Sequence, residues 1–171
     1  MESGKNQAVI SRAGWIFAGL ALCVAPAHAD PPGRVELATH YSYLISQGAS
    51  EDGDKTFHGY RSDLSIFINR RFGVGATLVN SQSHNADLLF GPDFGLLDKG
   101  RVSVQLHGRA GWVKRSAFFE PATSTGPSLD VTIAKGWILR VQPEVIWWSD
   151  RGTHTDFRIS AGFVVRWGTT R

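Results

Sequence analysis

Phe157-Arg158-Ile159-Ser160-Ala161-Gly162-Phe163-Val164-Val165-Arg166-Trp167 is the stretch on which the fold turns. Taken in steps of two, Phe157, Ile159, Ala161, Phe163, Val165 and Trp167 make an apolar row, and Arg158, Ser160, Gly162, Val164 and Arg166 make the other. Side chains of an extended chain alternate between its two faces, so this is a strand with one greasy face and one that carries charge. At the rise of a strand tilted by about 45°, a run of this length crosses a bilayer's hydrocarbon core. An arginine facing lipid near the midplane costs about 2–4 kcal/mol. Arg158 and Arg166 therefore need the inside of a closed barrel. The expected fold is all-β, an eight-stranded antiparallel up-and-down transmembrane β-barrel.

The chain's beginning reads differently. Lys5 and Arg12 form a basic region, Ala13 to Ala25 a short apolar run, and Ala27-His28-Ala29 a small-residue cleavage site. Residues 1–29 are thus expected to be a signal peptide for export through the Sec pathway, leaving residues 30–171 as one barrel domain. The segment Leu20-Ala21-Leu22-Cys23 resembles a lipoprotein box, but Leu22 stands where that box takes a small residue. Cleavage after Ala29 removes the chain's single cysteine, and with it any disulfide or thiol chemistry. It also lowers the formal charge from +3 to +2, because Glu2, Lys5 and Arg12 leave together. That balance is too mild to argue for nucleic acid.

Working back from the last strand, the same alternation recurs seven times. Val35 to Tyr43 opens the series, and Ser46 to Thr56, rich in Gly, Ser and acidic residues, is a solvated loop. Tyr60, Leu64 and Ile66 oppose Arg61, Asp63 and Ser65; after the turn Asn69-Arg70-Arg71, Phe72, Val74, Ala76 and Leu78 oppose Gly73, Gly75 and Thr77. A fourth strand holds Leu88, Phe90, Phe94 and Leu96, and a fifth sets Val102, Val104, Leu106, Ala110 and Trp112 against Arg101, Ser103, Gln105, His107 and Arg109. Lys114 to Thr125 reads as a long loop. Strands six and seven follow at Ser128 to Ile133 and Trp137 to Trp147, with Ala134-Lys135-Gly136 between them, and Ser149 to Thr155 leads to the last. Short turns at one end and longer loops at the other are the layout of outer-membrane barrels. Pro92 and Pro143 lie inside strands, where a missing N–H demands irregular pairing.

Periodicity does not by itself say which row faces out, since a soluble lipocalin-type barrel inverts the faces and keeps the alternation. Two features favour the membrane. Tyr41, Tyr43, Trp112, Trp137, Trp147 and Trp167 gather near strand ends, as two interfacial girdles require. The polar row is rich in glycine and serine, which suits a filled lumen.

The segment Ser160 to Trp167 also resembles the assembly signal of outer-membrane barrels, with Ser160, Gly162, Val165 and Trp167 at its pattern positions, although Gly168 to Arg171 follow where such signals end on the aromatic. Across Val35 to Trp167 the sequence is similar to the OmpA-like, OmpX-like family of eight-stranded barrels. Leu88-Leu89-Phe90-Gly91-Pro92-Asp93-Phe94 and Gly126-Pro127-Ser128-Leu129-Asp130-Val131 carry that likeness, with Asp93 replacing a basic residue common in the family. The resemblance implies a bacterial outer-membrane location, contact with membrane lipid and lipopolysaccharide, and handling by the barrel assembly machinery during biogenesis.

Chemistry is expected to be sparse. The inward row offers Glu36, Asp63, Asp93, Asp130 and Glu144 against Arg61, Arg101, Arg109, Arg140, Arg158 and Arg166, a near-balanced set that reads as an ion-pair plug. Its rearrangement into a narrow pore for small ions or solutes is the sharper alternative. No histidine has metal-ligand spacing, and no cofactor site is readable. His154, Asp156 and Ser160 suggest a hydrolytic triad, but six residues of strand separate His154 from Ser160 by roughly 20 Å, so no enzyme is expected. Activity then falls to a structural or adhesive role, with loops 46–56 and 114–125 as the surfaces for a ligand. Phe118 and Phe119 are an apolar pair in the second of these.

Overall fold

The alternation becomes geometry in eight strands: β1 (Gly33–Gln47), β2 (Lys55–Phe67), β3 (Phe72–Ser81), β4 (Ala86–Lys99), β5 (Val102–Lys114), β6 (Phe119–Ala134), β7 (Trp137–Ser149) and β8 (Thr153–Thr169). This computed structural model describes residues 33–47, 55–81, 86–115, 118–149 and 152–169. Residues 1–29, expected from the sequence to be a targeting segment, and the middle of the 46–56 loop lie outside the described residues. Every strand pairs antiparallel with its neighbour in sequence, and β8 returns to β1, closing the sheet.

The registers fix the barrel's dimensions. From Tyr41, stepping across β2, β3 and β4 leads through Tyr60, Asn80 and Ala86 to Lys114 on β5. Stepping the other way leads through Ala161, Val141 and Leu129 to Val104. The two paths arrive ten residues apart, a shear of ten for eight strands. With ordinary strand spacings, that shear sets a tilt of about 40°. Trp137 and Trp147, ten residues apart on the outer row of β7, are then separated by about 25 Å along the axis, the height of a lipid-facing band.

Which row faces out is now decided. Among the described residues 28 large apolar side chains are a third or more exposed, including Leu64, Ile66, Val74, Phe90, Phe94, Leu129, Leu139, Ile159 and Phe163. The charged row is buried: Glu36, Arg61, Asp63, Asp130, Glu144 and Arg158 are each at most 3% exposed. An apolar exterior of this extent far exceeds the patches that soluble monomers expose. The lipocalin alternative, which needs the opposite polarity, is excluded by it.

Several local expectations are corrected. β6 starts at Phe119 and pairs from Lys114↔Phe119 onward, so the long loop read over 114–125 shrinks to residues 115–118. Its small and polar residues Pro121, Thr123 and Thr125 still alternate with Ala122, Ser124 and Gly126, but without the apolar contrast that reveals a strand. Ser46 pairs with Lys55, and Thr153 already belongs to β8. Arg101 is not in the lumen: it sits exposed in the β4–β5 turn, where Gly100 takes the left-handed φ of 64° that the tight reversal demands. Asn69 shapes the β2–β3 turn by accepting the Arg71 and Phe72 amides at 2.8 and 2.9 Å.

The prolines behave as strand chemistry requires. Pro92 pairs with Val74 on β3 while the ladder to β5 is interrupted between Phe90↔Ala110 and Asp93↔His107. Pro143 pairs with Ile159 on β8 while the ladder to β6 opens between Thr125↔Val145 and Leu129↔Val141. The true register shifts lie elsewhere, between Gly95 and Leu97 and between Thr132 and Ala134.

Single-tryptophan variants report the polarity directly. In vesicles containing brominated lipid, a variant retaining only the outward Trp112 is expected to lose most of its fluorescence, whereas one retaining only the inward, 6% exposed Trp148 keeps it. Equal quenching of the two would overturn the assignment of faces.

Candidate functional site

Among the described residues, buried charge is concentrated in the lumen, which is built from the inward rows of the eight strands. At the turn end, Glu36 of β1 receives Arg34 at 2.9 Å, Arg140 of β7 at 2.6 Å and Arg166 of β8 at 2.7 Å. Asp130 of β6 meets Arg140 at 2.6 Å and Arg166 at 3.3 Å, and takes a hydrogen bond from Gln105 at 3.2 Å. Beside this cluster the Arg34 guanidinium lies 3.9 Å from the centroid of the inward Phe67 ring.

The centre is organised by Arg61, which is fully buried. It donates to Asp63 at 2.7 Å and to Glu144 at 2.8 Å, and Arg158 holds the other oxygen of Glu144 at 2.7 Å. Asp63 also contacts Thr77 at 2.5 Å and His40 at 3.2 Å, while His107 lies 3.1 Å from Glu144. Arg109 pairs separately with Asp93 at 2.8 Å. Room for that pair comes from Gly75 on β3, where an added Cβ would strike Arg109 Nη1, Asp93 Oδ2 and Ser65 Oγ. Gly162, whose register partners are His40 on β1 and Arg140 on β7, excludes a side chain for a different reason: an added Cβ would meet the β1 backbone at the Thr39 carbonyl and the His40 Cα.

Toward the loop end, Arg158 reaches Asp87 at 2.7 Å, and Arg115 joins Asp87 to Asp156 across the mouth, the latter at 3.0 Å. Ser46 donates to Asp156 at 2.7 Å. Packed among these groups is an apolar collar of Leu44, Leu89, Val113, Ala122, Ile146 and Trp148, all buried, with Phe57 against it.

The structure places residues 36, 61, 63, 93, 109, 130, 140, 144, 158 and 166 in the lumen, and Arg101 outside it. The sequence reading did not place Arg34, Asp87, Arg115 and Asp156, which lie toward strand ends, in the ion-pair network, and it lacked the collar. Described lumen charges now balance: Arg34, Arg61, Arg109, Arg115, Arg140, Arg158 and Arg166 face Glu36, Asp63, Asp87, Asp93, Asp130, Glu144 and Asp156. Seven guanidinium groups meet seven carboxylates. In a medium that penalises any uncompensated charge by several kcal/mol, that equality is a condition of stability.

His154, Asp156 and Ser160, weighed above as a triad, are engaged elsewhere or buried. Asp156 is occupied by Ser46 and Arg115, and His154 stacks on Trp148 with centroids 4.4 Å apart. Ser160 is buried opposite Ser42 and Gln142. No group of three metal-ligating side chains occurs among the described residues. Of the residues expected in girdles, Trp137 and Trp167 are exposed toward the turn end, and Trp112 and Trp147 toward the loop end. Tyr41 donates to or accepts from His58 at 2.7 Å and meets Tyr60 edge-on, and Tyr43 packs on His58 at 5.0 Å, which makes an outward aromatic cluster on β1 and β2. Within the segment that resembles an assembly signal, Ser160 and Gly162 face the lumen, whereas Val165 and Trp167 face outward.

No protein-family model and no curated protein matches the chain. Solved structures do. Neisserial surface protein A is similar with a TM-score of 0.55 at 14% identity, over 78% of this chain and 96% of that one. Ail, the attachment invasion locus protein of Yersinia pestis, gives 0.52 at 16% over 79% and 99%, and the outer membrane protein OprG of Pseudomonas aeruginosa gives 0.53 at 7% over 80% and 97%. The likeness is one of fold: this chain has the architecture of small eight-stranded outer-membrane barrels.

Arg61 supplies the test of the lumen's energetics. Arg61→Met leaves Asp63 with His40 and Thr77, and Glu144 with Arg158 and His107, so a loss of about 3–5 kcal/mol is expected in urea unfolding from vesicles. Arg101→Gln, in the exposed turn, is expected to change stability by less than about 0.5 kcal/mol.

Proposed function

We propose that the chain is an integral outer-membrane protein that works as a closed structural pillar and surface-display scaffold, without catalysis and without conducting solutes. The observation that carries this reading is the filled lumen: seven guanidinium groups balanced by seven carboxylates, with an apolar collar that narrows the loop end. A narrow pore needs an open polar path; where Leu44, Leu89, Val113, Ile146 and Trp148 gather, the polar groups that pass them are tied to one another in the Arg158, Asp87, Arg115 and Asp156 chain, so the path is occupied. The exposed apolar exterior supports residence in a bilayer, with Trp112 and Trp147 at one interface and Trp137 and Trp167 at the other. Turns of two to four residues face the periplasm in this reading, and the loops face outward, toward lipopolysaccharide.

What remains for interaction is the loop end. Phe118 and Phe119, which are 72% and 60% exposed, form an apolar rim offered to a partner there, while the middle of the 46–56 segment, with Glu51, Asp52 and Asp54, lies outside the described residues. Assembly in the cell is assigned to the barrel machinery through the outward Val165 and Trp167 with Ser160 and Gly162 behind them.

Two measurements on the purified, lipid-reconstituted protein test the proposal. The unboiled protein is expected to migrate differently from the boiled one and to fractionate with outer membranes. In planar bilayers it is expected to give no unitary conductance steps. Regular steps from folded protein would sink the sealed-lumen reading and favour the narrow pore.

A further inference from the structure

The turn end carries a charge pattern separate from the lumen. Arg71, Lys99, Arg101 and Lys135 are all exposed there, in or beside the β2–β3, β4–β5 and β6–β7 turns. None forms an ion pair with a described residue, and Asp98 is the only carboxylate in those turns. Each cation sits where the apolar exterior stops. Arg71 precedes the exposed Phe72, Arg101 precedes the exposed Val102, Lys99 follows the exposed Leu97 by two residues, and Lys135 lies two residues before Trp137.

The lumen is polarised in the same sense. Its turn-end cluster sets Arg34, Arg140 and Arg166 against only Glu36 and Asp130, one positive charge in excess. The compensating negative excess lies farther up, where Asp63, Asp87, Asp93, Glu144 and Asp156 outnumber Arg61, Arg109, Arg115 and Arg158 by one. Arg166 is 19% exposed at the turn-end mouth, so that excess is not walled off.

We infer that this rim is a docking surface for anionic phospholipid headgroups, of the phosphatidylglycerol kind, in the leaflet that surrounds the turns. The inference rests on the membrane reading above and adds a preferred lipid to it. Turns this short cannot lift a side chain far from the interface, and the flexible stems of Lys and Arg carry their cations to the level of the phosphates. Two arginines provide planar donors for phosphate oxygens, and two lysines provide point charges beside them.

The test uses the mature chain in nanodiscs with spin-labelled phosphatidylglycerol or phosphatidylcholine as reporter lipids. A severalfold preference for the anionic label is expected at low salt, fading as salt shortens the Debye length. The variant R71Q/K99Q/R101Q/K135Q is expected to lose the preference while keeping its heat-shifted band, and K114Q, at the loop end, to retain it. Should the fourfold variant not fold, R101Q/K135Q takes its place, with a partial loss expected. Equal association of both labels with folded wild-type protein overturns the inference, as does an unchanged preference in a folded rim variant. Absence of a heat-shifted band from the wild-type protein in every lipid would instead overturn the membrane reading beneath it.

Discussion

An N–H or C=O group in hydrocarbon has no water to bond, so a strand that crosses a bilayer needs a partner on both sides. The β1–β8 ladder, running from Gly33↔Thr169 to Gln47↔Thr155, meets that requirement and removes the last edge. Everything else follows from closure. Eight strands joined with a shear of ten define a bore that side chains fill, and filling it with the polar row obliges every charge to find an opposite within the same small space.

That obligation explains why size matters as much as charge on the inward rows. The lumen's arginines are long and need neighbours that are short: Gly75 opens room for Arg109 and Asp93, and Gly162 lets β8 lie close against the β1 backbone at Thr39 and His40. Serine and threonine at Ser46, Ser65 and Thr77 occupy little volume and keep hydrogen-bonding capacity beside the carboxylates. The exterior has no such discipline, because lipid tolerates any apolar shape.

The middle of each strand was legible because apolar exterior and polar lumen alternate strictly there, as from Phe157 to Trp167. Two regions were not. Near the loop end the outward row leaves hydrocarbon and turns polar, as at Thr123, Ser149 and Thr153, so the contrast disappears and strand reads as loop; Asp87, Arg115 and Asp156 were missed for that reason. Across the collar the opposite happens: Leu89 between Leu88 and Phe90, Val113 beside Trp112, and Ile146 between Val145 and Trp147 are apolar on both faces. A run without alternation says nothing about its inner side. Arg101 failed for a third reason, since parity was extended one residue past the strand's start at Val102.

Glu36 belongs to the first strand, yet two of its three arginine partners, Arg140 and Arg166, arrive with the seventh and eighth. Until those strands dock, a carboxylate and several guanidinium groups would face lipid or an open groove alone. A half-built sheet is thus a poor resting point, and the contacts that join its ends favour a concerted final step over a piecemeal one. The first strand made is, electrostatically, the last to be completed.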